Sequence, residues 1–179
     1  TFQNFFRDQT LFRDVQLMAP GTAIIFEPGR SEKRHVHWDY EFREKLTAPL
    51  LELEEECNRL FVQAVERQLV SDVDINSYLS GGIDSGAISA VAAPKMNGMK
   101  TYTVGFDTRS ASGLELAFDE REKSEYMSYL FGTEHYEMVL KAGDMERAMP
   151  ALVYHLEEPR VGQSYPNFYA AKLASGFGK

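Results

Sequence analysis

The residue order predicts an α/β fold: a mostly parallel sheet with flanking helices, preceded by a β-hairpin. Short apolar runs at residues 75–79, 101–106 and 136–140 alternate with stretches of helical period. Strands that alternate with helices need crossover connections, and these lay neighbouring strands parallel. The segment 22–27 is β-branched and apolar, closes on Pro28 and Gly29, and is followed at 35–40 by alternating residue types, which reads as a hairpin. From about Glu44 the period changes. Leu50, Leu53, Cys57, Leu60, Phe61, Ala64, Val65 and Leu69 recur at three- and four-residue spacing among charges, the stripe of an amphipathic helix. A boundary near residue 41 follows, with residues 1–41 on one side and 42–179 on the other.

The remaining helices are expected at 85–93, 119–131, 144–155 and 165–175. Asp119 and Asp144 suit N-caps and Gly132 suits a C-terminal stop. Residues 107–118 have no clear period and read as a loop. Tyr165, Phe168, Tyr169 and Leu173, at helical spacing, read as core packing rather than a binding face.

Composition narrows the function classes. With 179 residues, 44% hydrophobic and 26% charged, the chain can bury one core and carry a small appendage. A net charge of −8 argues against nucleic acid as a partner, because such binders concentrate Lys and Arg. Cys57 is the single cysteine, so neither an internal disulfide nor a cysteine metal cage is available. No apolar run reaches the roughly 20 residues that span a bilayer, and residues 1–10 lack the pattern of a signal peptide. The expectation is a cytoplasmic protein with no membrane contact. His35, His37, His135 and His155 lack ligand spacing.

The segment Tyr78-Leu79-Ser80-Gly81-Gly82-Ile83-Asp84-Ser85-Gly86 lies between a predicted strand and a predicted helix. At a helix N-terminus the first amides have no intrahelical partner and the dipole is positive, so a Gly-rich turn there admits an anion. Ser80 and Ser85 add hydroxyls. Asp84 would repel a bare phosphate, so its presence points to a divalent cation, Mg²⁺, between carboxylate and polyphosphate. The plainer reading, a strand-to-helix turn with Asp84 as cap, stands at even weight on composition alone. The sequence holds neither G-x-x-x-x-G-K-[ST] nor G-x-G-x-x-G, which excludes a Walker loop and a dinucleotide fingerprint.

The same segment resembles the pyrophosphate loop S-G-G-x-D-S of the ATP pyrophosphatase superfamily, whose five fixed letters are Ser80, Gly81, Gly82, Asp84 and Ser85. Ser71-Asp72-Val73, Thr103-Val104-Gly105-Phe106-Asp107, Phe118-Asp119-Glu120-Arg121, Gly132-Thr133-Glu134-His135 and His155-Leu156-Glu157-Glu158-Pro159 are similar, in that order, to the synthetase domain of glutamine-hydrolysing asparagine synthetases. Leu17-Met18-Ala19-Pro20-Gly21, the hairpin and Trp38 resemble the end of that family's glutaminase domain.

The resemblance implies that residues 1–41 are the tail of a glutaminase domain plus linker, and that 42–179 are the N-terminal part of a synthetase domain. It implies ATP and Mg²⁺ as cofactors and aspartate and ammonia as substrates. Leu79, Val104 and Gly105 would flank adenine and ribose; Ser80, Gly81, Gly82, Asp84 and Ser85 would hold the phosphates, with Asp84 on the metal. Val104 reads equally well as a plain core residue. Glu157 and Glu158 fit either the amino-acid substrate or a solvated helix end, with Glu158 the better substrate candidate. The missing partners would be the glutaminase domain and the rest of the synthetase domain, whose S-G-x-G-x-D-E segment completes the family's ATP site, and a homodimer is compatible with this. On that ground the chain alone is expected to be inactive. A β-lactam synthetase-like ligase and a nucleotide-binding module without turnover remain as alternatives.

Overall fold

The computed structural model describes residues 5–42, 47–110, 119–158, 160 and 164–178. The expected loop at 107–118 therefore falls largely outside the described residues, as does the expected helix start at Glu44. The chain divides into two compact units, Thr1–Thr47 with Val153–Val161, and Ala48–Leu152 with Gly162–Lys179.

In the first unit, β1 (Thr22–Ile25) pairs antiparallel with β2 (Lys33–Val36), Thr22 opposite Val36 and Ile25 opposite Lys33. The turn is built on Pro28 and on Gly29 at φ +76°, with the Arg30 amide donating to the Glu27 carbonyl at 3.0 Å. The second strand starts two residues earlier than the alternation at 35–40 predicts and ends at Val36. The reason is local: the Gly21 carbonyl accepts from both His37 (2.8 Å) and Trp38 (3.3 Å), which closes the ladder. Trp38 then meets Tyr40 edge-on, ring centroids 4.7 Å apart, and Tyr40 stacks on Phe42 at 6.4 Å.

The second unit opens with α1 (Leu50–Gln68). Its stripe is covered only at its C-terminal end, where Val65 joins Ala92, Ala93 and Met99 in a buried cluster with Leu69, Val91, Met96 and Phe131 around it. Leu50, Leu51 and Leu60 are exposed, and so is the free Cys57 thiol.

The sheet is parallel, in the order β3 (Ser77–Tyr78), β4 (Lys100–Phe106), β5 (Glu134–Leu140). Between the strands run α2 (Ile83–Ala92) and α3 (Arg121–Phe131), and α4 (Asp144–Leu156) and α5 (Ser164–Ala174) follow. This is the α/β architecture that the alternating periods predict. β3 is shorter than expected because Asn76 leaves the ladder: its side-chain Oδ1 accepts the Lys100 amide at 3.1 Å.

Both faces of β4 are covered. On one face Gly105 meets Arg121 of α3 and Thr101 meets Thr133 in the turn after it, while Tyr102 and Phe106 face α5 and the turn after it. Phe106 meets Tyr165 edge-on at 6.5 Å, and Phe177 lies 6.0 Å from Tyr102. Tyr165 packs as core, while Tyr169 is half-buried and donates its hydroxyl to the Asp144 carbonyl at 3.0 Å.

Two expected caps take other partners. The N-cap of α3 is Glu120, without a side-chain capping bond, because the Asp119 carboxylate is committed to Arg121. Asp144 accepts the Lys141 amide behind it at 2.6 Å and the Arg147 guanidinium. Gly132 ends α3 at φ 67°, as a left-handed stop should. Among the described residues no helix is long and apolar enough to cross a membrane.

Candidate functional site

β3 runs into its loop through Leu79, which is fully buried and donates its amide to the Tyr102 carbonyl at 2.9 Å. That bond fixes where the chain leaves the sheet. The next six residues, 80–85, therefore start at the carboxyl end of a parallel strand, where open α/β sheets bind ligands.

The loop is held by its two serines. The Ser80 amide donates to Ser85 Oγ at 3.1 Å, the hydroxyls lie 2.9 Å apart, and the Gly82 amide donates to Ser80 Oγ at 3.2 Å. Ser85 Oγ also lies 3.3 Å from the carbonyls of Ser80 and Gly82. Gly82 is extended, at φ −80° and ψ 154°, and caps α2 with no side-chain bond. The helix thus begins at Ile83, two residues before the sequence period suggests. Among the described residues the amides of Gly81, Ile83, Asp84 and Ser85 have no backbone acceptor. Four donors at the positive end of a helix form an anion cradle.

Asp84 is exposed in the first turn of α2. The cap position itself is held by Gly82, and Asp84 makes no ion pair among the described residues. No three His, Cys, Asp or Glu side chains converge on a common point among those residues. A cation at Asp84 would therefore take its other ligands from phosphate and water, which suits Mg²⁺.

Val104 and Gly105 follow on β4, opposite Met138 and Val139 of β5. They face opposite sides of the sheet. Gly105 lies under Arg121: a Cβ there would stand 2.2–2.7 Å from the Arg121 side chain. Arg121 reaches the Phe106 carbonyl at 3.1 Å and grips Asp119 through Nε at 2.9 Å and a terminal nitrogen at 2.7 Å. This two-point grip holds the Asp119 carboxyl below its usual range and pushes the guanidinium up. Glu158 is exposed beyond the end of α4 and belongs to the first unit, whereas the other candidate site residues all lie in the second.

One neighbour of the loop escapes sequence reasoning. A Cβ on Gly81 would lie 2.7 Å from Glu120 Cβ and 2.9 Å from Lys123 Cβ, so the start of α3 rests directly on the loop. Phe118-Asp119-Glu120-Arg121 is visible as a motif, yet nothing in the letters says which helix leans on which turn. A separate cleft of about 330 Å³, lined by Asp74, Asn76, Tyr78, Tyr102 and Ala174 among others, opens near the other end of the strands. Among the described residues the buried Tyr102 hydroxyl has no hydrogen-bond partner, and burial pushes its ionisation up.

The sequence profile of the asparagine synthase family matches residues 56–178. Asparagine synthetase [glutamine-hydrolyzing] 3 of Bacillus subtilis is 32% identical over 165 residues, covering 87% of this chain and 25% of that protein. A putative asparagine synthetase [glutamine-hydrolyzing] of Mycobacterium bovis is 30% identical over 121 residues, covering 67% of the chain and 18% of that protein. Amidase chry2 of Gibberella zeae is 31% identical over 120 residues, 58% of the chain and 18% of that protein. The chain thus spans about a quarter or less of the length of these relatives. With a matched region that contains the loop, the whole parallel sheet and the flanking helices α2–α5, this chain belongs to the asparagine synthase family.

Proposed function

We propose that the protein is an ATP-dependent amidating ligase that takes part in making asparagine, with residues 80–85 holding the polyphosphate. The observation that carries this reading is the loop itself: four amides without acceptors, at the start of α2, in a turn locked by Ser80 and Ser85.

The reaction breaks the bond between the α-phosphorus and the oxygen bridging to the β-phosphate. An oxygen of the aspartate β-carboxylate forms the new bond to phosphorus, and pyrophosphate leaves with the electron pair, giving β-aspartyl-AMP. Ammonia, released from glutamine, then adds to the acyl carbon, AMP departs with its oxygen, and the nitrogen loses a proton. The chain's contribution is positioning and charge neutralisation. The amides of residues 81 and 83–85 receive the charge that grows on pyrophosphate, and the Ser80–Ser85 bonds keep them aimed. Leu79, its side chain buried, would flank the nucleotide through its backbone together with Val104, while the space over Gly105 is taken by Arg121, so that glycine makes room for Arg121 rather than for the ribose. Asp84 would hold Mg²⁺, which when bound neutralises phosphate charge and aligns the leaving group. Residues 1–41 are read as the tail of a glutaminase domain.

A second acceptor is favoured by one finding. Relatives called amidases match 58% of the chain at 31% identity, beside 67% at 30% for a putative asparagine synthetase, so a carboxylate other than that of aspartate is the competing reading. Assay of the natural gene product with ATP, Mg²⁺, ammonia and a panel of carboxylic acids separates them. AMP and pyrophosphate released in equal amounts with aspartate alone is the expected result. Release that needs another acid, or none, would overturn the assignment of acceptor.

A further inference from the structure

We infer that Lys123 of α3 is a phosphate-binding residue of the loop, an inference that rests on the reading of residues 80–85 given above. Its stem lies along Gly81. A Cβ on that glycine would stand 2.9 Å from Lys123 Cβ and 3.0 Å from Cδ, and the ammonium is two bonds beyond Cδ. The side chain is therefore anchored where the acceptor-free amides of 81 and 83–85 lie.

The charge at its tip is uncommitted. Arg59, Lys95, Arg121 and Arg147 are each held by a carboxylate, whereas Lys123 has no ion pair among the described residues. The surroundings give that charge a use. Glu120 touches the same glycine and Asp84 stands in the first turn of α2, so two acids flank the space a phosphate chain would fill. A cation must offset them. Asp84 does so only by recruiting Mg²⁺; Lys123 supplies a fixed positive charge with three rotatable donors, a good match for a phosphate end that shifts during reaction. A lysine stem laid along a neighbouring surface with its head in solvent is an ordinary arrangement; Lys123 is exposed, and its stem along Gly81 carries the head to the loop.

The two roles separate by their dependence on Mg²⁺. Inorganic pyrophosphate titrated into the chain by calorimetry, with and without Mg²⁺, is the probe. Lys123→Met keeps the stem and removes the charge, and should weaken pyrophosphate about tenfold under both conditions, the scale of one charged contact. Asp84→Asn should weaken it only with Mg²⁺. Lys123→Arg should recover most of the loss, and Lys172→Met, which removes an exposed charge at the end of α5, should change nothing. If Lys123→Met does not fold, Lys123→Gln takes its place. Unchanged binding by the Lys123 variant, or an equal loss in Lys172→Met, overturns this inference and leaves the loop reading standing. Failure of the unmodified chain to bind pyrophosphate in either condition overturns both.

Discussion

His135 sits in β5 with its side chain only 10% exposed. Nδ1 meets Thr101 Oγ1 at 2.9 Å, and that hydroxyl lies 2.9 Å from the one of Thr133, which in turn meets Ser128 Oγ at 2.9 Å. Nε2 is buried without a hydrogen bond among the described residues; the Glu137 carboxylate stands 3.5 Å away, too far for a good one. Burial holds the imidazole below its ordinary range, against the opposing pull of Glu137 and Glu125. The folded state therefore takes up its proton at lower pH than the unfolded chain does, and between those two values stability falls as pH falls. Denaturant unfolding should show stability dropping as pH is lowered from about 7 through the usual histidine range near 6.5, and His135→Gln should flatten that drop. A profile unchanged by His135→Gln would show that other groups set it. Sequence alone offers no warning of this, since the apolar run begins at Tyr136 and the strand begins at Glu134. The two extra residues are what draw His135 into the sheet.

Among the elements, those set by periodicity are legible and those set by a single side chain are not. The strands and helices of the second unit follow the alternation of apolar runs with helical stretches. The truncation of β3 depends on one amide bond from Lys100 to Asn76, and the missing Asp119 cap on one ion pair with Arg121. The loop was readable because strand, glycines and helix occur in immediate succession; the serine bonds that lock it were not, being a matter of where two hydroxyls meet. The hairpin is a different case. Ile25, Phe26 and Val36 are all more than half exposed, and β1 and β2 form a sheet of two strands. Such pairs are marginal in water. Native-state amide exchange should be fast throughout 22–36 and slow in Lys100–Phe106, whose amides lie in a covered strand. Protection of the hairpin equal to that of β4 would show that its exposed residues are covered in solution.

At the scale of the molecule, the proposed phosphate loop and the buried cluster occupy different parts of the second unit. The buried cluster of Val65, Ala92, Ala93 and Met99 lies at the far end of α2 from the loop, so the first turn of that helix is free to carry unpaired amides and an exposed carboxylate. Family membership and the α/β order could be read from the letters because both depend on residues close together in the chain. The seating of α3 on Gly81 could not, because it joins residues some forty apart through packing alone. On the proposed reading, residues 80–85 bind a Mg²⁺ polyphosphate through the free amides and Asp84. Titration of ATP into the chain and into Asp84→Asn, each with and without Mg²⁺ and beside a melting curve, tests it most directly. Asp84 stands in the first turn, not at the cap, where its charge on the helix dipole contributes about 0.3–1 kcal/mol, so the melting curve should shift only slightly, while the variant should lose about tenfold in affinity, the scale of a charged contact, only when Mg²⁺ is present. A variant that melts earlier yet binds Mg²⁺-ATP as tightly as the unmodified chain would contradict the claim.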